Sequence, residues 1–136
     1  MLLPALRKYA IEHYGASCAD FLEGDDLIGI AATSAYKYNH VIYSADKDLK
    51  TIAGTHYDPE GNYEITQKEA DRAFYTQILT GDATDGYSGC PSIGPVSAAK
   101  ILDKTDGSRL AMWEAVVETY SKKGLEEIDA IIQARQ

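Results

Sequence analysis

The sequence predicts an α/β lobe over residues 1–80, followed by a helical lobe over residues 81–136. A β-branched run and a hairpin pattern lie in the first part, whereas apolar residues in the second part recur at helical spacing. A stretch rich in glycine and proline, residues 82–94, separates the two parts and is the predicted joint. With 45% hydrophobic residues, the chain can bury a core of ordinary size.

Two helices are predicted first. Apolar residues recur at helical spacing through residues 2–14, and Gly15 is expected to end that helix. A second helical face runs from Leu27 to Tyr38, with the acidic sequence EGDD at its front. The first lobe therefore places acids at the start of a helix.

The strand signals follow these helices. HVIYS, residues 40–44, is an apolar, β-branched run between polar flanks, and HYDPEGNYEI has the pattern of a hairpin that turns at residues 58–62. Thr66 and Glu69 have the spacing of a capping box, in which each side chain accepts a backbone N–H of the other residue. This box predicts a helix that runs to about Leu79.

The second lobe is predicted to be helical throughout. After the glycine-rich joint, helices are expected over residues 97–102, 111–120 and 125–134. We see no internal repeat and no low-complexity linker in the chain. The predicted fold is therefore a small α/β lobe followed by a compact helical one.

Cysteine usage and hydropathy indicate the compartment. Cys18 and Cys90 lack metal-binding spacing, so they are expected to be buried or neutral thiols rather than a disulfide or a zinc site. No apolar run approaches the roughly 18 residues of a membrane span, and no basic start leads into an apolar signal core. We expect a cytoplasmic protein with no membrane partner.

The charge balance needs an explanation. The chain has 21 acidic residues against 13 lysines and arginines, a net charge of −8, which argues against a nucleic-acid partner. Seven of the acids, however, fall in three short motifs, and the other 14 nearly balance the 13 basic residues. Two divalent ions would offset four of those seven charges, so the acidity also fits a metal site.

The first two acidic motifs each have two interpretations. In EGDD, Glu23, Asp25 and Asp26 stand at a helix N-terminus, where the helix dipole favours negative charge, so helix capping is one interpretation. In SADKD, Asp46 and Asp48 follow the predicted strand at its carboxyl end, where open α/β sheets place their sites. An acid-rich turn is the alternative there.

The third motif makes a metal site the better interpretation of all three. In GDATD, Asp82 and Asp85 are three residues apart and can share one face of a helical turn. Strand alternation predicts that Asp46 and Asp48 lie on one side of the chain, with Lys47 opposite. Because Mg²⁺ takes oxygen ligands, a site for two such ions needs carboxylates from several segments, and the three motifs supply them.

The loop after GDATD has a phosphate-binding pattern. GCPSIGPVSAAKIL places Gly89, Pro91 and Gly94 around a tight turn that leads into a helix. Backbone N–H groups at such a turn can bind a phosphate oxygen without a basic side chain. Lys100 and Lys104, one helical turn apart, can flank a DNA backbone. A plain helix–turn–helix corner is the alternative use of these glycines and prolines.

Taken in order, these motifs resemble a known family. EGDD, SADKDL and GDATDGYSGCPSIG are similar to the ExDD, SxDKDL and GDxxDNxxGxPGIGxKTA motifs of the 5′→3′ exonuclease and flap endonuclease family, especially its phage-type members. The resemblance spans residues 23–102. It implies the carboxyl-terminal part of a parallel-sheet, PIN-like nuclease domain, followed by a helix-three-turn-helix lobe that binds duplex DNA.

The resemblance also implies an activity. Family members cut DNA phosphodiester bonds near a 5′ end, flap or nick, in bacterial or phage-infected cells. Two Mg²⁺ or Mn²⁺ ions activate water and stabilise the departing oxygen. A monovalent cation such as K⁺ helps hold the duplex phosphate at the helix-three-turn-helix loop.

The family's site residues carry over to matching positions. The acids that match its metal cluster are Glu23, Asp25, Asp26, Asp46, Asp48, Asp82 and Asp85. The residues that match or flank its duplex-backbone loop are Gly89, Gly94, Ser97 and Lys100.

The chain also departs from the family pattern. Gly86 stands where many members have Asn, Ser92 where the pattern has Gly, and Val96 where it has Lys, so duplex binding is expected to be less cationic. The family's first strand, leading aspartates and helical arch have no counterpart before Leu2. We therefore expect the nuclease to need a separate amino-terminal segment; the alternative is a non-catalytic metal- and duplex-DNA-binding module.

Overall fold

The computed structural model of the protein describes residues 2–34 and 40–124. Their elements, in chain order, are helix α1 (Leu3–Tyr14), helix α2 (Gly24–Thr33), strand β1 (Val41–Tyr43), a 3-10 helix (Asp48–Thr51), strands β2 (Gly54–Asp58) and β3 (Gly61–Ile65), and helices α3 (Gln67–Thr80), α4 (Pro95–Leu102) and α5 (Arg109–Lys122). This order confirms the mixed α/β class. Helix α2 ends at Thr33, because Ser34 has an extended backbone, so the second predicted helix does not continue through Ser34. The rest of that prediction, residues 35–38, and the helix predicted at residues 125–134 lie outside the described residues. Within the described ranges, every helix is too short or too polar to cross a membrane.

Local capping signals set the ends of two helices. Gly15 ends α1 with a left-handed φ of +66°, as predicted. At the start of α3, the Thr66 N–H donates to Glu69 Oε2 at 2.8 Å and the Glu69 N–H donates to Thr66 Oγ1 at 3.3 Å. The predicted capping box is therefore confirmed, and α3 extends one residue beyond Leu79.

The sheet has three strands in the order β1-β2-β3. Strand β1 lies parallel to β2, with Ile42 opposite His56, and β2 forms the predicted hairpin with β3, with His56 opposite Tyr63. The described sheet is thus mixed, and the prediction of a parallel sheet holds for one strand pair only. The physical reason is the short turn between β2 and β3, since a tight connection can join only antiparallel strands.

The core lies between the last three helices. Each of its fully buried side chains contributes about 1.5–3 kcal/mol of transfer free energy to folding. Helix α3 also packs against the 3-10 helix, so it contacts structure on both sides of the predicted boundary at residue 80. That boundary stays a prediction. The largest fully buried side chains are Leu79, Leu102, Met112, Val116 and Tyr120.

Both cysteines are free. Cys90 is buried in the core between α3 and α4, and burial raises the pKa of its thiol, which keeps it neutral. Cys18 is exposed instead. The prediction of a buried, neutral thiol is confirmed for Cys90.

Candidate metal centre

Three carboxylates from two segments of the chain meet at the end of α3. One oxygen from each of Asp48, Asp82 and Asp85 lies within 4.8 Å of the other two. Asp48 belongs to the 3-10 helix, whereas Asp82 and Asp85 belong to the loop that follows α3. Asp82 is only 8% exposed, Asp48 is half-buried and Asp85 faces solvent. Three convergent carboxylate oxygens with one open side form a donor set that fits a hard divalent cation.

The acidic loop is closed by backbone hydrogen bonds. The Asp82 N–H donates to the Tyr87 carbonyl oxygen at 2.7 Å, and the Tyr87 N–H donates back to the Asp82 carbonyl oxygen at 2.9 Å. Within this closed turn the Thr84 N–H donates to Asp82 Oδ1 at 2.8 Å, which fixes the direction of that carboxylate. At the turn, Gly86 has a left-handed φ of +73°, a conformation that Asn also tolerates.

Two tyrosines attach this loop to the core. The hydroxyl oxygens of Tyr87 and Tyr120 lie 2.8 Å apart, and each lies within 3.0 Å of the Ile78 carbonyl oxygen. Burial raises the pKa of Tyr120 far above its usual range, so its hydroxyl stays protonated and available for hydrogen bonding. The acidic loop is therefore held against both α3 and α5.

Asp48 is oriented from two sides. Gln77 on α3 donates from its Nε2 to Asp48 Oδ1 at 3.1 Å, and Asp46 Oδ1 accepts the Asp48 N–H at 2.9 Å. Sequence reasoning missed Gln77, because a polar residue in an otherwise ordinary helix gives no local signal. Asp46 supports the backbone of Asp48 in this arrangement, as in an acid-rich turn.

Lys47 lies inside the acidic group. Its ammonium donates to Asp82 Oδ2 and lies 3.4 Å from Asp48 Oδ1. The hydrogen bond from Lys47, with that from the Thr84 N–H, lowers the pKa of Asp82 from 3.8 to about 2. The prediction that Lys47 points away from the acids is wrong, because β1 ends at Tyr43 and strand alternation does not extend to these residues.

The EGDD acids form a helix cap. Glu23 and Asp26 make a reciprocal capping box, in which the Glu23 N–H donates to Asp26 Oδ2 at 3.1 Å. Asp25 Oδ1 accepts the Asp26 N–H at 3.1 Å. Over residues 2–34 and 40–124, only Asp48, Asp82 and Asp85 form a group of metal-ligating spacing. The capping interpretation is thus confirmed, and the metal role of the EGDD acids and of Asp46 stays a prediction.

The predicted duplex-binding residues divide into two kinds. Gly94 forms the N-cap of α4, and Gly94, Ser97 and Lys100 are all exposed. Gly89 is buried with φ +64°, and an added Cβ would lie 2.3 Å from the Gly81 backbone nitrogen. Gly89 therefore allows the close approach of two backbone segments, a packing requirement that its match to a phosphate-binding loop did not reveal.

Curated proteins give matches to this chain. It is 39% identical over 88 residues to an exodeoxyribonuclease of Enterobacteria phage T3, covering 60% of this chain and 29% of that protein. It is 39% identical over 146 aligned positions to an exonuclease of Escherichia phage T7, covering 84% of this chain and 49% of that protein. It is 30% identical over 145 positions to DNA polymerase I of Bacillus subtilis, covering 91% of this chain and 15% of that protein.

No protein-family model matches the chain, and no solved structure gives a significant match. The chain spans about half the length of the T7 exonuclease and smaller shares of the other two proteins. This partial coverage fits the predicted correspondence to the carboxyl-terminal part of such enzymes. The acidic motifs and the matched relatives agree: the chain is related to the phage-type 5′→3′ exonuclease family and corresponds to part of the length of its members.

Proposed function

We propose that this chain is part of a metal-dependent 5′→3′ exonuclease that hydrolyses DNA phosphodiester bonds. The convergence of Asp48, Asp82 and Asp85 carries this proposal, since each comes from a motif that the family resemblance assigns to metal. The names of the phage relatives support DNA as the substrate and hydrolysis as the reaction. Cleavage at a flap or nick, as a structure-specific endonuclease, belongs to the same proposal.

The acidic group would hold a Mg²⁺ or Mn²⁺ ion. Asp48, Asp82 and Asp85 would be its ligands, and the resemblance assigns a second ion to the same cluster together with Glu23, Asp25, Asp26 and Asp46. When bound, such ions supply an activated water and stabilise the departing oxygen. A groove along α3, lined in part by Lys47, Asp48 and Arg72, leads away from the acidic group. The groove also contains the acids Asp48 and Glu69, so a DNA backbone would lie there only with the acidic charge offset by the bound ion, beside the basic Lys47 and Arg72.

The duplex would be held at the start of α4. Gly94 is the N-cap of α4 and makes no side-chain cap hydrogen bond, so the first-turn N–H groups that follow Pro95 are the donors that a phosphate would use. Ser97 and Lys100 are exposed on the same helix. These features support a helix-three-turn-helix role for the segment from α3 to α5. A monovalent cation such as K⁺ at this loop is part of the proposal.

An amino-terminal nuclease segment is the proposed partner. Strand β1 is an edge strand of the described sheet, with Val41 57% and Tyr43 69% exposed. Helices α1 and α2 bury none of their residues, although Leu3 and Leu6 are among their apolar side chains. Unpaired strand edges and extended apolar surfaces favour pairing with further polypeptide, which supports a separate segment that completes the nuclease.

The second candidate is a non-catalytic module that binds metal and duplex DNA. Among the described residues, three of the seven predicted acids converge, and this observation supports the module. Three carboxylates are enough to hold one ion but not to form a two-metal centre. The two candidates share the same metal site and differ in whether the completed assembly cuts DNA. The predicted cytoplasmic location is common to both.

Metal binding is the first test. We expect the purified chain to bind Mn²⁺ in isothermal titration calorimetry, and Asp48→Asn and Asp85→Asn to weaken binding at least about tenfold, because each removes a charged ligand. Asp20→Asn, a change of an exposed acid outside the motifs, is the matched control and is expected to bind as the wild type does. Equal affinity in all four proteins would rule out the three-acid site.

A further inference from the structure

Lys47 already provides a positive charge at the proposed metal site. Its ammonium contacts Asp82 and lies 3.4 Å from Asp48, two of the three acids whose oxygens lie within 4.8 Å of one another. The Lys47 side chain is 71% exposed, so packing does little to hold it. A flexible surface lysine thus lies in a group that also suits a divalent cation.

The acids, in contrast, are held by rigid neighbours. Asp48 accepts a hydrogen bond from Gln77 on α3, and Asp82 accepts one from the Thr84 backbone. These bonds do not involve Lys47. If the lysine swings into solvent, both carboxylates keep these bonds, and the cost is limited to the ion pair between the exposed Lys47 side chain and the buried Asp82.

Electrostatics favours the exchange of one cation for another. Three carboxylates within a few ångströms repel one another, and a single ammonium offsets part of that repulsion. A divalent ion carries twice the charge and coordinates several oxygens at once, so it gains more from the group than the ammonium does. The two cations cannot occupy the same oxygens together.

We propose that Lys47 is an internal counter-ion that stabilises the acidic group when no divalent ion is bound and is displaced when one binds. This inference rests on the proposed metal site. Lys47 is thus a positioning residue with two opposite effects: it stabilises the ion-free fold and weakens the affinity for the ion. If Lys47 had a purely structural role, its replacement would not raise the affinity of the site for the metal ion.

The test removes the charge and keeps the side-chain length. Lys47→Met is expected to lower the melting temperature in EDTA by a few degrees and to tighten Mn²⁺ binding about tenfold, as judged from the charge separation and the solvent exposure of the pair. Lys47→Arg keeps the charge and is expected to behave like the wild type. Lys50→Met, at an exposed lysine of the same 3-10 helix, is the matched control and is expected to change neither quantity.

The possible results distinguish the counter-ion role of Lys47 from the proposed metal site on which it rests. If the wild type binds Mn²⁺ and Lys47→Met binds it with equal or lower affinity, the counter-ion role is wrong and the metal site stands. If neither the wild type nor Lys47→Met binds Mn²⁺, the metal site fails and the role of Lys47 fails with it. A lower melting temperature in EDTA together with tighter Mn²⁺ binding would establish the exchange.

Discussion

Ser92 adopts a backbone conformation that suits glycine. Its φ is +63°, and it is the one non-glycine residue with positive φ among residues 2–34 and 40–124. For a residue with a Cβ atom, this left-handed conformation costs roughly 1–2 kcal/mol. The family motif has glycine at this position, so the departure from the motif coincides with local strain.

Ser92→Gly is therefore expected to stabilise the protein. Relief of the left-handed strain outweighs the greater unfolded-state freedom of glycine, which leaves a gain of about 0.5–1 kcal/mol, or roughly 2–4 °C in melting temperature. Ser97→Gly, in the first turns of α4, is the control and should lower the melting temperature, since glycine disfavours helix. Thermal melts followed by circular dichroism would measure both, and a loss of stability in Ser92→Gly would show that its side chain makes a compensating contact.

The N-terminus of α4 has room for a side chain at Gly94 and lacks the lysine that the family pattern has at position 96. An added Cβ at Gly94 would meet no atom within 4 Å, and its φ of −103° suits any residue. Val96, in the first turn, is 70% exposed where the family pattern has lysine. Substitutions at both positions thus report on the surface rather than on folding.

Duplex binding should respond to these two positions in opposite directions. Val96→Lys should tighten binding by a factor of about 3–10 at low salt and steepen the log–log salt slope by about 0.9, because it adds one phosphate contact. Gly94→Val should weaken binding equally for all sequences, since phosphate contacts carry no base information. Fluorescence anisotropy with labelled duplexes would measure both changes.

The control for the added charge is Val41→Lys. Val41 is also an exposed valine, but it belongs to β1 rather than to the first turn of α4. An equal gain in affinity from Val41→Lys would mean that any added lysine strengthens binding and that α4 has no special role. Sequence-selective binding by the wild type would contradict the phosphate-contact account as well.

An ion pair connects α3 to α5. Arg109, the first residue of α5, donates to Asp71 Oδ1 at 2.5 Å, and the Asp71 side chain is largely buried. The hydrogen bond from Arg109 lowers the pKa of the Asp71 carboxyl below its usual 3.8. A lowered folded-state pKa means that the pair stabilises the fold above about pH 4 and that this contribution is lost as the pH falls below that value.

Arg109→Met should therefore reduce stability in a pH-dependent way. We expect its melting temperature to lie about 2–4 °C below the wild type at pH 6 and the difference to shrink steadily as the pH falls from 4 to 2. Arg72→Met, which breaks a more exposed pair with Asp103, should have a smaller effect. A difference that persists unchanged at pH 2 would assign the effect of Arg109 to packing of its aliphatic stem.

The described molecule has an uneven distribution of burial. The core of α3, α4 and α5 is closed and includes fully buried Tyr120, whereas α1 and α2 contribute no buried residue. The acidic group is supported by α3, through Gln77 and the contact with the 3-10 helix. A nuclease centre at this place would be held by α3, whereas the apolar faces of α1 and α2 stay open to further polypeptide.

We expect the chain alone to cleave DNA poorly. Two-metal hydrolysis requires the scissile phosphate to be held across both ions, and misplacement by about 1 Å can reduce the rate on the order of a hundredfold. The measurement is Mg²⁺-dependent cleavage of a 5′-labelled flap or nicked duplex, before and after addition of an amino-terminal fragment of a related phage exonuclease. Asp85→Asn is the control and should abolish any cleavage that complementation restores.

Two results would contradict this account. Robust cleavage by the chain alone, abolished by Asp85→Asn, would show that the acids present are sufficient and that no partner segment is needed. Binding of duplex and Mn²⁺ with no cleavage after complementation would favour the non-catalytic module.

The sequence alone predicted the local structure of several segments and the acidic motifs of the nuclease family. The capping box at Thr66 and Glu69, the stop at Gly15 and the hairpin between β2 and β3 depend on interactions within a few residues, so the sequence specified them without knowledge of the fold. The acidic motifs and the order in which they occur were also visible, and they led to the nuclease family.

Tertiary structure alone decided which acids meet. Asp48 reaches Asp82 and Asp85 because α3 packs against the 3-10 helix and because the Gly81–Gly89 contact folds the acidic loop back onto the end of α3. The same packing brings Lys47 into the group. These contacts join segments that are far apart in sequence, and they depend on burial, backbone contact and charge between those segments. A local pattern of residues contains no information about such long-range contacts.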